Sequence, residues 1–367
     1  MSKNMNVPKL RFSEFCGEWE EKKLDDVVKF YNSKRIPLTE SDREKGIYPY
    51  YGASGIIDYV KDYIFDGEYI LLGEDGANIV LRNSRLVFLA KGKFWLNNHA
   101  HIFQAKESNS FLCEVLEKIN YTKYNTGTAQ PKLNAEVVKN IKVKLPSKQE
   151  QEKIASFLTS VDTKIEQLTK KETLLQEYKK GVMNKIFNQE IRFKDDDGSE
   201  FPEWEEKILK EQCINIYSGK TKPKENGKFN VYGSTGIIGK SDEFTHEGNY
   251  VLVARVGANA GQINYVSGQF AVTDNTLIVE VDINKALPLF ILSLLNIVNL
   301  NRLVFGSGQP LITGGELKSL KLKFPCLEEQ TKIANFLSSI DKKIELTTKE
   351  LNSTKEFKKA LLQQMFV

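Results

Sequence analysis

The stretch Glu150 to Glu166 (EQEKIASFLTSVDTKIE) returns at Glu329 to Glu345 as EQTKIANFLSSIDKKIE, with twelve of 17 positions identical. Other blocks recur in the same order. Arg11-Phe12 comes back as Arg192-Phe193, and Glu18-Trp19-Glu20-Glu21-Lys22 as Glu203-Trp204-Glu205-Glu206-Lys207. Tyr31-Asn-Ser-Lys34-Arg-Ile-Pro37 answers Tyr217-Ser-Gly-Lys220-Thr-Lys-Pro223, and Tyr51-Gly-Ala-Ser-Gly-Ile-Ile57 answers Tyr232-Gly-Ser-Thr-Gly-Ile-Ile238. Gly76-Ala-Asn78 matches Gly257-Ala-Asn259, and Gly127-Thr-Ala-Gln130-Pro131 matches Gly306-Ser-Gly-Gln309-Pro310. Nearly every block lies about 180 residues from its partner, so the chain is a tandem duplication.

Each copy has two parts of different character. The first, about 10–145 and 192–325, is rich in Gly, Asn, aromatics and short β-branched runs. Tyr69 to Leu72, Leu86 to Leu89, Tyr250 to Val253 and Leu277 to Glu280 read as strands bounded by turns. Phe111 to Asn120 and Leu289 to Asn301 read as single helices, which makes each globule a mixed α+β fold.

The second part, 148–187 and 327–366, has no Pro and one Gly, Gly181. Its apolar residues step three and four apart: Ile154, Leu158, Val161, Ile165, Leu168, then Leu175, Val182 and Ile186. The second copy places Ile333, Leu337, Ile340, Ile344, Leu351 and Phe357 in a similar arrangement, and Pro146 and Pro325 mark the starts. This spacing predicts a long amphipathic helix in each copy. Either each helix packs on its own globule, or the two pair with each other. At about 55 Å, such a helix outreaches a domain of this size, which favours pairing. The expected organisation is a globule over 1–147, a helix over 148–187, a second globule over 188–326 and a helix over 327–367. Antiparallel helices would form a coiled coil that joins and spaces the globules with approximate two-fold symmetry.

Composition narrows the function. Lys plus Arg is 52 against 48 Asp plus Glu, so nucleic acid is permitted as a partner and local placement must decide. Four cysteines (Cys16, Cys113, Cys213, Cys326) lie far apart without a CxxC pair, which reads as reduced thiols. Met1 to Leu10 lacks an apolar signal region, and the greasiest stretch, Leu289 to Val298, is about half a membrane span. A cytoplasmic protein with no membrane partner is expected.

At this point the residues carry a resemblance. The order globule, long helix, globule, long helix resembles the specificity subunit of type I restriction-modification systems. So do Tyr51-Gly-Ala-Ser-Gly, Gly-x-x-Gln-Pro and Glu-Gln-x-Lys-Ile-Ala-x-Phe-Leu-x-x-x-Asp, each present twice, with Phe366 mirroring Phe187. The likeness spans essentially the whole chain. It implies that each globule is a target-recognition domain reading one half of a bipartite, asymmetric site on double-stranded DNA. It implies further that the helices set the spacer and help hold two modification (methyltransferase) subunits, with restriction/translocase subunits joining a larger complex. S-adenosylmethionine, ATP and Mg2+ are expected on those partners and none on this chain.

The residues themselves offer little catalysis. There is no Pro-Pro for an adenine methyltransferase motif, and Phe305-Gly-Ser-Gly308 runs straight into Gln309-Pro310. Tyr217-Ser-Gly-Lys-Thr221 imitates a phosphate loop, but Ile214 stands where its leading Gly is required. Of the three histidines (His99, His101, His246), His99-x-His101 has no third ligand nearby, which points to packing or hydrogen bonding. No catalytic or metal residue is expected.

Binding needs cations for phosphates and amides or hydroxyls for base edges. Lys34 with Arg35, and Lys220 with Lys222, precede a repeated Pro and read either as phosphate clamps or as solvated charge. Gln130 and Gln309 present amides to a groove, or else belong to a structural turn. Ser54 and Thr235, like Asn78 and Asn259, lie in shared blocks, which shape the domain or touch backbone. Sequence readers should differ between copies. Arg82 and Arg85 lack cationic counterparts, Arg255 stands opposite Glu74, and Asn98 and His99 face Asp274 and Asn275. Lysines on the helices read either as a solvated coiled-coil flank or as a face toward DNA or an acidic partner surface. Two other classes remain: a helix-dominated scaffold with no nucleic-acid role, and a self-sufficient DNA-modifying enzyme.

Overall fold

A computed structural model describes residues 6–127, 130–304 and 310–367. The chain forms two compact units, one of Met1–Gln167 with Leu351–Val367, the other of Leu168–Glu350.

The first unit contains β1 (Glu20–Lys23), β2 (Val28–Phe30), β3 (Lys45–Gly52), β4 (Gly55–Val60), β5 (Phe65–Gly73), β6 (Val87–Leu96), β7 (Ala100–Ala105) and β8 (Lys142–Leu145). The second contains β9 (Glu205–Ile208), β10 (Cys213–Ser218), β11 (Phe229–Gly233), β12 (Gly236–Ser241), β13 (His246–Ala254), β14 (Ile263–Val272), β15 (Thr276–Val281) and β16 (Lys321–Phe324). Two six-stranded sheets result, ordered β2-β7-β5-β6-β3-β4 and β10-β15-β13-β14-β11-β12, which is the same order term for term. Among the described strands, only β3 with β6 and β11 with β14 run parallel. A two-stranded ribbon, β1 with β8 or β9 with β16, closes each globule next to a long helix.

Alternation along the central strand explains why both sheet faces are buried. A strand turns successive side chains to opposite faces. In β5, Ile70 and Leu72 join the core that contains the long helix, while Leu71 joins an aromatic core with Phe65, Phe94 and Ile102. In β13, Val251 and Val253 take the helix side and Leu252 packs with Phe270 and Ile278. Three of the expected strands fall inside β5, β13 and β15, and the fourth falls in β6 except for Leu86, which precedes that strand. The expected short helices are α1 (Asn109–Glu117), capped by Ser108, and, further on, one that starts on Pro288. Both stop earlier than the apolar pattern suggested, the chain tightening into 3-10 turns at Tyr121–Tyr124 and Leu300–Leu303.

The long helices are α2 (Lys148–Phe187), with 40 residues, and, after α3 (Pro288–Ile297), α4 (Leu327–Gln364), with 38. Both expected packings hold at once. Ile154, Leu158 and Val161 pack on their own globule and also meet Leu361, Met365 and Phe366 from the end of α4, with Ile165 beside them. In the second unit, Ile333, Leu337 and Ile340, flanked by Ile344, share a core with Met183 and Ile186 from the end of α2. Leu168 is buried as well. The pairing is antiparallel: Glu172 bonds Thr348 and Lys179 bonds Asp341 (2.5 Å), seven residues forward on α2 against seven back on α4. In the first unit Lys358 pairs with Asp162 at 2.5 Å.

Each unit is locked by a latch built from the most closely repeated residues. Glu150, 1% exposed, receives two hydrogen bonds from Arg11 at 2.7 and 2.8 Å. Glu329, fully buried, receives two from Arg192 at 2.9 and 3.3 Å and one from Trp204 Nε1 at 3.1 Å. Gln151 and Gln330 each donate to the carbonyl of the proline before the helix at 3.0 Å. The Arg-Phe and Glu-Gln repeats are therefore anchors of the helix start. In the first unit Leu10 N–H also donates to Gln364 O at 2.9 Å, satisfying a carbonyl at the end of α4.

Candidate nucleic-acid interface

At one end of the first sheet, four segments are tied together by backbone bonds. Glu74 N–H donates to His99 O (2.8 Å), Leu133 N–H to Glu74 O (2.7 Å), and Gly76 N–H to Pro131 O (3.0 Å). The β3–β4 turn joins them through Asn97 N–H, which donates to Tyr51 O at 3.2 Å. A Cβ on Gly73 would stand 2.6 Å from Ala53 O, so glycine is what lets that turn come so close.

The second unit repeats the pattern by itself. Arg255 N–H donates to Asn275 O (2.9 Å), Ile312 N–H to Arg255 O (2.9 Å), Gly257 N–H to Pro310 O (3.0 Å) and Thr273 N–H to Tyr232 O (3.0 Å). Ser234 Oγ adds a bond to Asn275 O at 2.7 Å. The shared Tyr-Gly, Gly-Ala-Asn and Gln-Pro blocks are thus the knots of one loop platform in each unit.

Several expected contact residues stand out from this platform with their polar groups unused. Ser54, Asn98 and Gln130 are exposed and make no side-chain hydrogen bond among the described residues. Lys34 is exposed, its ammonium 5.5 Å from the centre of the Tyr31 ring. In the second unit Lys220, Lys222, Thr235 and Asn275 are exposed, and Asn259 is half-buried. Gln309 lies outside the described residues.

Others are committed inside the fold, which corrects their reading as free contacts. Arg35 is no open phosphate clamp: its guanidinium pairs with Glu74 at 2.6 Å and donates to Ala100 O at 2.8 Å. Arg82 adopts a left-handed backbone (φ 52°) and donates to Glu117 Oε1 and O at 2.6 and 2.7 Å. Arg85 pairs with Glu114 at 2.9 Å. Glu114 and Glu117 lie three apart on α1 and so share a face, and that face takes both arginines. Asn78 spends its amide within its own loop, donating to Ser84 O (3.1 Å) and accepting from Ser84 N–H (3.0 Å). His99, half-exposed, is turned toward Asp75 at 2.8 Å.

The electrostatic centre of the first platform is Glu74, which the sequence offered only as the counterpart of Arg255. Burial would raise its carboxyl, but the Arg35 hydrogen bond and the positive charges of Arg35 and Lys132 overcome this and hold it below the usual range. Lys132 Nζ is 3.5 Å and His101 Nδ1 3.7 Å from that carboxylate. Burial lowers the His101 pKa, and the ring is used structurally. Its Nε2 lies 2.7 Å from Leu133 O and its Nδ1 3.0 Å from the Asn32 amide, as a neutral ring with Nε2 protonated requires. Glu74 and Asn32 were missed because their partners lie up to 70 residues away.

Such a platform can bind: ammonium, amide and hydroxyl groups project from a rigid sheet end. Among the described residues, no group of three or more His, Cys, Asp or Glu is placed to hold a metal ion, and no helix is long and apolar enough to cross a membrane.

Comparison with known proteins agrees with the duplication. The type I restriction modification DNA specificity domain matches twice, over residues 17–176 and 202–356. The type I restriction enzyme MjaVIII specificity subunit of Methanocaldococcus jannaschii is 27% identical over 395 residues, covering 94% of this chain and 91% of that protein. A putative type I restriction enzyme specificity subunit of Haemophilus influenzae is 37% identical over 147 residues, where the match spans 40% of this chain and only 38% of the relative. In fold, the chain resembles the crystal structure of a type I restriction-modification S subunit from M. genitalium, with a TM-score of 0.72 at 18% identity over 98% of this chain and 99% of that one. With the family's domain matched in both repeats, the chain belongs to the type I restriction-modification specificity subunits.

Proposed function

We propose that this chain is the DNA-reading component of a type I restriction-modification complex and recognises a bipartite, asymmetric site, one half per unit. The observation that carries the reading is the loop platform, present twice on the same backbone knots but dressed with different polar side chains. Shared turns serve what both half-sites have in common, the phosphate backbone, and the variable positions serve what differs. Lys34, Lys220 and Lys222 supply phosphate contacts. Asn98 and Asn275, at positions that differ between the copies, are the candidates for base edges; Ser54, Thr235 and Asn259, in shared turns, are candidates for the backbone, and Gln130 and Gln309 for amides presented to a groove. In this reading the paired helices set the spacer between half-sites and offer a surface to two modification subunits, with translocase/nuclease subunits joining them. Adenine N6 methylation and cleavage, with S-adenosylmethionine, ATP and Mg2+, belong to those partners, and this chain contributes no catalytic residue.

Mapping methylated adenines across the genome, with and without this gene, tests the reading. A two-part motif with a spacer of about six to eight bases, lost on deletion, is expected from half-sites one helical turn apart. Exchange of residues 1–147 for another recognition domain should change one half-motif only. A scaffold would bind no random duplex at low salt, and a self-sufficient enzyme would methylate or cut duplex without partners. Either result refutes the proposal.

A further inference from the structure

Equivalent bonds superpose the two platforms residue by residue. Glu74 and Arg255 each donate N–H to the turn after the neighbouring strand (His99 O, Asn275 O) and each accept from the chain after the Gln-Pro block (Leu133 N–H, Ile312 N–H). The strand registers Leu72 with His101 and Val253 with Leu277 make those two residues equivalent, and the bridges Asp75 with Lys132 and Val256 with Leu311 do the same for Lys132 and Leu311. The Lys-x-x-Pro repeat places Thr221 at the position of Arg35.

These four positions change together. In the first unit an acid, Glu74, is surrounded by three bases: Arg35, His101 and Lys132. In the second unit the acid is replaced by Arg255, and the bases by the uncharged Thr221, Leu277 and Leu311. Arg255 is half-buried, and its Nε is buried with no hydrogen-bond partner. The rest of its guanidinium also makes no hydrogen bond or ion pair among the described residues. A partly desolvated guanidinium without an acceptor is costly, and the cost is recovered when an acceptor arrives from outside. By contrast, at the equivalent position of the first unit Glu74 has its charge met by Arg35 and Lys132.

We propose that Arg255 is a specificity-determining residue of the second unit, its guanidinium donating to the acceptor edge of a guanine in the half-site that this unit reads, at a position where the first unit presents Glu74 already neutralised by Arg35. The inference rests on the proposed DNA-reading function. Guanine is favoured over a phosphate oxygen because phosphates are common to both half-sites, whereas this position reverses its charge between the two readers. A guanidinium fork matches the O6 and N7 of guanine with two hydrogen bonds, which a lysine cannot reproduce.

The test uses the complete complex assembled with wild-type chain, Arg255→Lys, Arg255→Gln, or the double variant Arg255→Glu/Thr221→Arg, which rebuilds the internal pair of the first unit. Methylated motifs are mapped, and binding to matched and mismatched duplexes is measured across salt concentrations. All three variants should tolerate any base at one guanine of one half-motif, discrimination there falling about 5- to 150-fold, while the other half-motif stays intact. An intact second half-motif also reports a folded, assembled complex. A uniform loss of affinity with a shallower salt slope, rescued by Arg255→Lys, would identify a phosphate contact and overturn the proposal. Failure of the variants to assemble with the partner subunits would identify a protein contact and overturn it as well. Should the wild-type complex itself show no bipartite motif, the DNA-reading function would fall, and this inference with it.

Discussion

Replacing Arg192 by alanine should unfasten the second unit. Glu329 is fully buried in the first turn of α4, and Arg192 supplies two of the three hydrogen bonds its carboxylate receives. Removing one partner of a buried pair leaves an unpaired charge, at a cost of about 3–5 kcal/mol. The helix N-terminus and Trp204 remain to support the charge, which places Arg192→Ala near the lower end, about 3 kcal/mol. Glu329→Gln keeps the packing and loses charge-assisted bonds, about 1.5–3 kcal/mol. Replacing both residues by methionine should cost less than Arg192→Ala, because no orphan charge remains. The assay is urea unfolding followed by hydrogen exchange, which reads peptides of the two units separately. An Arg192→Ala cost below about 1 kcal/mol, or a loss of protection confined to residues 6–167, would refute the reasoning.

Phe366 stacks on Phe111 with ring centres 5.3 Å apart and meets Trp19 edge-on at 6.3 Å, so Phe366→Ala should cost the first unit about 3–5 kcal/mol, seen as lost exchange protection in residues 351–367 and α1. His101 has a lowered pKa in the folded chain. Its contribution is therefore complete above the unfolded value of 6.5 and is lost as pH falls through that value toward the folded one, so first-unit stability should decline from pH 7.5 to 5.5 and decline less in His101→Gln. Equal pH dependence of the two proteins would contradict this. Arg85→Gln should leave the recognised motif unchanged, because its charge is bound to Glu114; an altered half-motif would restore it as a base contact. Lys220→Ala with Lys222→Ala should weaken binding to all duplexes alike and lower the salt slope by about two, as measured by titration at several salt concentrations.

The fold was legible because duplication and periodicity are local signals. The repeated blocks marked the duplication, the apolar run Tyr69 to Leu72 marked a strand, and the three-four spacing from Ile154 to Leu168 marked the long helix. The platform was partly legible: shared blocks marked its turns, and Lys34, Ser54, Asn98, Gln130, Lys220, Lys222 and Thr235 do stand on the surface. What escaped was pairing. Whether an arginine is available depends on an acid 29 to 39 residues away, as with Arg35 and Glu74, Arg82 and Glu117, or Arg85 and Glu114. No local pattern specifies such a meeting, because strand order and crossover decide it. Comparing the two copies could have flagged it, since Glu74, Arg35, His101 and Lys132 change as a set.

The tail of α4 belongs to the core that the first residues begin. On a ribosome, Leu168–Glu350 is synthesised as one uninterrupted stretch and can close as soon as it emerges, whereas the globule started earlier must wait for Leu351–Val367. The globule translated first is therefore completed last, and until then Trp19 and Phe111 lack the ring that covers them. Deletion of Leu351–Val367 should thus damage the first unit while sparing the second.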